Sequence, residues 1–191
     1  MPDYFPAFLD LRGRRCLVVG GGLIGERKVR DLVACGAVVT LVSPTLTEGL
    51  AALVSEGRLR HRARSFRSGD VRGCALAIAA TGVGAVDTLV AEAARRGHAL
   101  LNVVDRPTQC DFILPSVLRR GELQVAVSTG GRSPALAREI RTRLEPLFAP
   151  DYGDVVEQVG EARRQARAKA TSAPARLEAG ERVARRALTR A

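Results

Sequence analysis

Residues Cys16 to Val19 (CLVV) are a short β-rich run that passes directly into Gly20-Gly21-Gly22-Leu23-Ile24-Gly25, and a stretch with helical periodicity follows. Few folds place such a glycine cluster between a strand and a helix. Gly20, Gly22 and Gly25 make the G-x-G-x-x-G spacing, in the strand-to-helix context that gives the pattern its meaning. The first glycine permits a tight turn, the second lets a pyrophosphate approach the backbone, and the third lets helix and strand pack closely. Free N–H groups at the helix start, at Leu23 and Ile24, then face the anion. A glycine-rich turn without a ligand is the alternative that the spacing leaves open.

The rest of the chain sets this turn in a repeating frame. Ile24, Val29, Leu32 and Val33 can share one face of the helix, which Gly36 ends. Ala37 to Val42 reads as a buried strand, Leu46 to Ser55 as a helix, and the alternating stretch Leu59 to Phe66 as an outer strand. Ala75 to Ala80 is a further apolar strand, Ala85 to Arg96 a helix stopped by Gly97, and Ala99 to Val104 the next strand. Strands and helices alternating in this way predict an α/β fold, a Rossmann-like parallel sheet wound by right-handed crossovers. The pattern breaks after Asp105. Asp111 to Arg120 is mixed, Leu123 to Val127 is a short strand, and Ser133-Pro134 opens a helix with Leu136, Ile140, Leu144 and Leu147 on one side. Residues 151–191 are Ala/Arg/Glu-rich and helix-prone, with an interruption near Thr171 to Pro174. The expected organisation is a nucleotide-binding domain over 1–113, a small α/β segment over 114–150 and a helical region over 151–191.

Several residues on the predicted rim could carry chemistry. The second strand ends in Ser43-Pro44-Thr45, where an acidic residue usually holds the adenosine ribose; hydroxyls could do so more weakly. No arginine lies between positions 31 and 57 to meet a 2′-phosphate, which favours NAD over NADP. Thr81-Gly82 closes the next inner strand and should border the same cofactor, although the threonine is equally an ordinary turn residue. Asp105 ends the strand before it on that rim, where a carboxylate could act as a general acid or base. With Arg106-Pro107 behind it, Asp105 also reads as a plain turn aspartate. Ser128-Thr129-Gly130-Gly131-Arg132 precedes the Ser133-Pro134 helix and is either an anion-binding turn or a flexible connection.

Composition narrows the classes. At 46% hydrophobic and 26% charged residues the chain is globular in type. No apolar run approaches the roughly 20 residues of a membrane helix, and MPDYFPAFLDLRGRR lacks the layout of a signal peptide. The net charge is +10 and spread along the chain, which suits a polyanionic partner; only Lys28 and Lys169 are lysines among 30 basic residues. Arginine usage reflects genome composition or bidentate carboxylate binding, and composition does not choose between them. Aromatics are 4% and no DNA- or RNA-reading motif appears, so neither a nucleic-acid nor a membrane partner is expected. The four cysteines, with two histidines, show neither disulfide nor metal-ligand spacing, and reduced thiols in the cytoplasm are the expectation.

The ordered set FPAFLDLRGRRCLVVGGG, ERK (Glu26 to Lys28), LAIAATG, NVVD, FILPS and VAVSTGGRSPALAREIR, spread over about residues 5 to 150, resembles the precorrin-2 dehydrogenases. That family includes the N-terminal part of siroheme synthase and a bifunctional dehydrogenase/ferrochelatase. The resemblance implies oxidation of precorrin-2, a carboxylate-rich reduced tetrapyrrole, to sirohydrochlorin with NAD as acceptor. It implies acid–base work for Asp105, in the NVVD motif, and a substrate cleft bordered by Ser128 to Gly131. It also implies a homodimer formed through 114–150. Some members additionally insert ferrous iron. Residues 151–191 depart most from the family. A module that senses NAD without catalysis would explain the glycine turn, but gives no reason for Asp105 or the STGGRSP turn.

Overall fold

Five short strands, β1 (Arg15–Val19), β2 (Val38–Val42), β3 (Arg60–Arg62), β4 (Leu76–Ala79) and β5 (Leu100–Val103), all but β3 mainly apolar, pair side by side in a computed structural model that describes residues 4–169 and 172–188. All are parallel, in the order β3-β2-β1-β4-β5. Helices α1 (Leu23–Ala34), α2 (Glu48–Ser55) and α3 (Gly84–Arg96) make the crossovers. The doubly wound α/β class expected from the sequence is the one found.

Strand alternation divides the core. Cys16 and Val18 of β1, with Ile78 of β4, pack against Val29 and Leu32 of α1 and Leu50 and Leu53 of α2. Leu17, Val19, Ala77 and Ala79 face the other way, onto Val90, Ala91 and Ala94 of α3. Successive side chains on a strand point to opposite faces, so a strand covered on both sides reads as a continuous apolar run. That is why CLVV and LAIA were visible as inner strands.

Three boundaries differ from the expectation. The second helix begins at Glu48, because Thr47 caps it, accepting the Leu50 N–H at 3.3 Å. β3 is three residues long instead of running to Phe66. Beyond it the chain wraps Asp70, which accepts from the guanidiniums of Arg62 and Arg64 and from the Arg67 N–H. Third, the mixed stretch 111–120 contains a strand. It begins as a strap along the outer edge of β5: Asp111 exchanges two bonds with Leu101, and the Phe112 carbonyl accepts from Asn102. The strap covers an edge that would otherwise expose unpaired backbone groups.

The chain divides into two compact units, Met1–Ile113 and Leu114–Ala191. The second opens with a hairpin of β6 (Ser116–Arg120) and β7 (Leu123–Val127), turning at Gly121-Glu122, where Gly121 has φ +55°. Helix α4 (Pro134–Leu144) follows, capped by Ser133, whose hydroxyl accepts the Leu136 N–H at 3.2 Å. Helices α5 (Tyr152–Lys169) and α6 (Ala173–Leu188) complete the unit. Of the interruption expected at Thr171 to Pro174, residue 171 lies outside the described residues, and α6 already begins at Ala173. No helix among the described residues is long and apolar enough to cross a membrane.

Candidate functional site

The sheet order reverses between β1 and β4, and an open parallel sheet of this kind leaves a crevice at the carboxyl ends of its strands there. Both flanking turns lie at that point, pressed together. A Cβ on Gly20, whose φ is +114°, would stand 2.3 Å from the carbonyl oxygen of Ala80. One on Gly25 would stand 1.9 Å from the oxygen of Gly20, so only glycine lets α1 start this close to β1. Gly22 is different: a Cβ there meets nothing within 4 Å. The opening lies beside the first N–H groups of α1, at Leu23 and Ile24, which have no carbonyl a turn earlier to bond.

The loop after β2 folds back under the same turn. Ser43 is buried and its Oγ accepts the Gly21 N–H at 3.0 Å, while the Thr47 N–H donates to the Gly21 oxygen at 3.1 Å. Ser43, expected at a ribose, has its hydroxyl oxygen against the glycine backbone. Pro44 and Thr45 remain exposed. The Thr47 hydroxyl donates to Glu26, and this bond, with those from Arg30, holds the Glu26 carboxyl below the usual range.

Beside the glycine turn is a cavity of about 220 Å³ lined by Ile24, Ala80, Gly82, Asp87, Val104, Asp105 and Arg106. It brings together three residues singled out in the sequence: Ile24, Gly82 and Asp105. Asp105 is exposed and has φ +59°, one of two non-glycine residues with positive φ among those described. A side chain held in that region often marks a functional position, though aspartate tolerates it better than most. Leu23 lies outside the cavity lining and is 80% exposed. Thr81 is occupied within its own turn, donating to the buried Asp87 at 2.6 Å and accepting the Val83 N–H at 3.0 Å.

Three residues of this region escaped the sequence reading. Asp87 sits in the first turn of α3, a position where acids commonly occur, and only its burial distinguishes it. The Arg106 guanidinium lies against Gly84, with Nη2 2.6 Å from where a Cβ would be. Lys28 is a buried cation on α1. Its sequence signals were its place in the ERK segment and its being a lysine in a chain that otherwise prefers arginine.

In the second unit, Ser128 to Arg132 form a turn closed by its own side chains. The Ser128 hydroxyl accepts the Gly130 N–H at 3.1 Å, and the Thr129 hydroxyl accepts the Ser133 N–H and donates to the Ser133 oxygen. Gly130 and Gly131 have φ of +63° and +80°. Arg132 is exposed. No group of three or more His, Cys, Asp or Glu side chains among the described residues is placed to hold a metal ion.

A family model described as "Putative NAD(P)-binding" matches residues 7–116, more than half of the chain. The chain belongs to this NAD(P)-binding family. The glycine turn fits that cofactor, since Gly22 leaves open the space a dinucleotide backbone would need. A second model, "Sirohaem biosynthesis protein central", matches residues 120–146 of this NAD(P)-binding chain. The siroheme synthase of Nitrosomonas eutropha is 43% identical over 166 residues, covering 86% of this chain and 35% of that protein. That of Methylobacillus flagellatus is 48% identical over 151 residues, covering 79% and 32%. The chain thus spans about a third of the length of these curated relatives. The solved structure of SirC, precorrin-2 dehydrogenase, is 26% identical with a TM-score of 0.79, covering 94% of this chain and 89% of that one. The family resemblance read from the motifs is borne out.

Proposed function

We propose that this chain oxidises precorrin-2 to sirohydrochlorin with NAD as the hydride acceptor, and that it works as a homodimer in the cytoplasm. The observation that carries the reading is the placement of Asp105, held at positive φ on the wall of the cavity that also holds Ile24 and Gly82. The likeness to SirC and to siroheme synthases supports the substrate class.

The reaction removes two electrons and two protons from the macrocycle, as one hydride and one proton. Bound NAD supplies the acceptor for the hydride. The protein supplies the rest. The open space at Gly22 and the N–H groups of Leu23 and Ile24 take the diphosphate. Ile24 and Val104 give the cavity apolar walls. Asp105 takes the proton, for which an exposed carboxylate on a fixed turn is suited. Arg106, on the same wall, is placed to pair with a substrate carboxylate.

NAD is favoured over NADP by the end of β2. Ser43, Pro44 and Thr45 offer no cation to a 2′-phosphate, and Arg62 at the end of β3 and Arg64 just after it are engaged by Asp70. In the second unit Leu136, Ile140 and Leu147 are exposed at 51%, 37% and 64%, an apolar surface that a second copy of the chain would cover. The turn of Ser128, Thr129, Gly130, Gly131 and Arg132 is assigned to the substrate. The cytoplasm supplies NAD and keeps Cys16, Cys35, Cys74 and Cys110 as the free thiols they are here. Neither nucleic acid nor a membrane is among the proposed partners.

The test is anaerobic turnover. The protein is mixed with enzymatically made precorrin-2 and NAD, and NADH formation is followed with the spectrum of the oxidised macrocycle. Stoichiometric appearance of both is expected. NAD binding without turnover would leave a nucleotide-binding module and remove the dehydrogenase reading.

A further inference from the structure

Of the polar and charged residues that are buried among those described, Asp87 is the one that lines the cavity. It is 4% exposed. Taking a carboxylate out of water is costly unless hydrogen bonds replace the lost hydration. The chain replaces it at one oxygen. Oδ1 accepts from the Thr81 hydroxyl at 2.6 Å and from the Thr81 N–H at 3.4 Å. Oδ2 accepts from nothing in the chain. Nor is Oδ2 sealed off: on the described residues that are not exposed, Gln109 Oε1 is the one sealed side-chain oxygen or nitrogen without a partner. Oδ2 is therefore an open acceptor on a residue of the cavity wall.

The duty of Oδ1 is structural. Through Thr81, whose hydroxyl also accepts the Val83 N–H at 3.0 Å, it fixes the turn between β4 and α3. An asparagine, with its one carbonyl oxygen on Thr81, would hold that turn as well. Aspartate differs at the second position, where it offers an acceptor and asparagine offers N–H groups. An acceptor left open on a buried side chain calls for a donor from elsewhere.

The place of the cavity narrows the choice of donor. It lies beside the glycine turn, at the carboxyl ends of β1 and β4 where the sheet order reverses, and such a sheet holds its dinucleotide there. Asp105, the proposed acid–base group, is on the same wall, so this is where the reacting end of the cofactor is needed. The nicotinamide has one hydrogen-bond donor, the NH2 of its carboxamide.

We propose that Asp87 recognises the nicotinamide carboxamide, its Oδ2 accepting from the amide NH2, and so fixes which way round that amide sits. With the amide turned over, its oxygen would stand against the carboxylate, acceptor against acceptor. The inference rests on the reading that NAD is the hydride acceptor and reacts in this cavity.

Isothermal titration of the full chain tests it with two dinucleotides, NAD and 3-acetylpyridine adenine dinucleotide, in which a methyl group stands in place of the amide NH2. The wild type is expected to bind NAD at least about tenfold more tightly, the low end for a hydrogen bond to a charged group. Asp87→Asn keeps an acceptor for Thr81 and should melt with the wild type. Its preference for NAD over the analogue should fall to about twofold or less, because the open acceptor is gone. The wild-type comparison needs no variant and stands whether or not Asp87→Asn folds. Equal wild-type affinities for the two dinucleotides, or a preference that Asp87→Asn retains, overturn the proposal and leave the dehydrogenase reading intact. A wild type that binds neither dinucleotide removes both.

Discussion

Ser43, at the end of β2, accepts the N–H of Gly21 through its Oγ at 3.0 Å, and the pair is buried. This bond ties the second strand to the glycine turn after the first, fixing the backbone that is to meet the cofactor. Removing it leaves a buried N–H without a partner. Ser43→Ala is expected to lower unfolding stability by about 1–3 kcal/mol and to weaken NAD, with both read from denaturant titrations in the presence and absence of NAD. A variant as stable as the wild type would show that another group holds the turn.

The glycines of the turn divide into those that fold it and the one that admits a ligand. At Gly25 a methyl group would meet the Gly20 oxygen at 1.9 Å, and at Gly22 it would meet nothing. Gly25→Ala should therefore lose about 1–3 kcal/mol of stability through overpacking. Gly22→Ala, at φ −83°, should melt with the wild type yet bind NAD about tenfold more weakly, equivalent to about 1.4 kcal/mol. Thermal melts with isothermal titration of NAD separate the two effects.

Asp70 sets an acid limit on stability. The bond from Arg64, with those from the Arg67 N–H and Arg62, holds its carboxyl down at about 2, against 3.8 for a free side chain. The folded state therefore binds this proton less readily than the unfolded one. The stabilisation is complete above about pH 4 and is lost as the pH falls through 2, amounting to about 2 kcal/mol. Urea midpoints measured from pH 6 to pH 2 should fall in the wild type by this contribution. Asp70→Asn should start lower at pH 6 and lack that part of the fall.

What the sequence made legible depended on how local the cause was. β1 and β4 were visible because strands buried on both faces are apolar throughout. Ser133 was visible as a cap because Pro134 follows it. Gly20, Gly22 and Gly25 were visible together, but their different duties were not, since those depend on what stands opposite each one: Ala80, empty space and Gly20. The bond from the Gly21 N–H to Ser43 was not legible, because it joins residues far apart along the chain. β3 was overestimated because the alternation through Phe66 is real, while Asp70, which bends the chain away, lies beyond the alternating stretch. Asp87 and Arg106 acquire meaning only when α3 and the turn after β5 are brought to one cavity, a relationship that no spacing along the chain encodes.

Leu136 and Ile140 stand one turn apart on α4, and Leu147 follows in the next segment; all three are exposed. Ile140→Glu is expected to shift the molar mass seen in sedimentation or light scattering from two chains to one, with little change in helix content. If the wild type already sediments as a single chain, the homodimer proposal fails.

In the proposed reaction Asp105 takes the proton released as precorrin-2 is oxidised. The most direct measurement is the rate of NADH formation by Asp105→Asn under anaerobic single-turnover conditions, beside NAD affinity for the same variant. A loss of about 10²–10⁴-fold in rate with unchanged NAD binding is expected, the range for removing a general acid–base group. Oxidation at the wild-type rate would contradict the account.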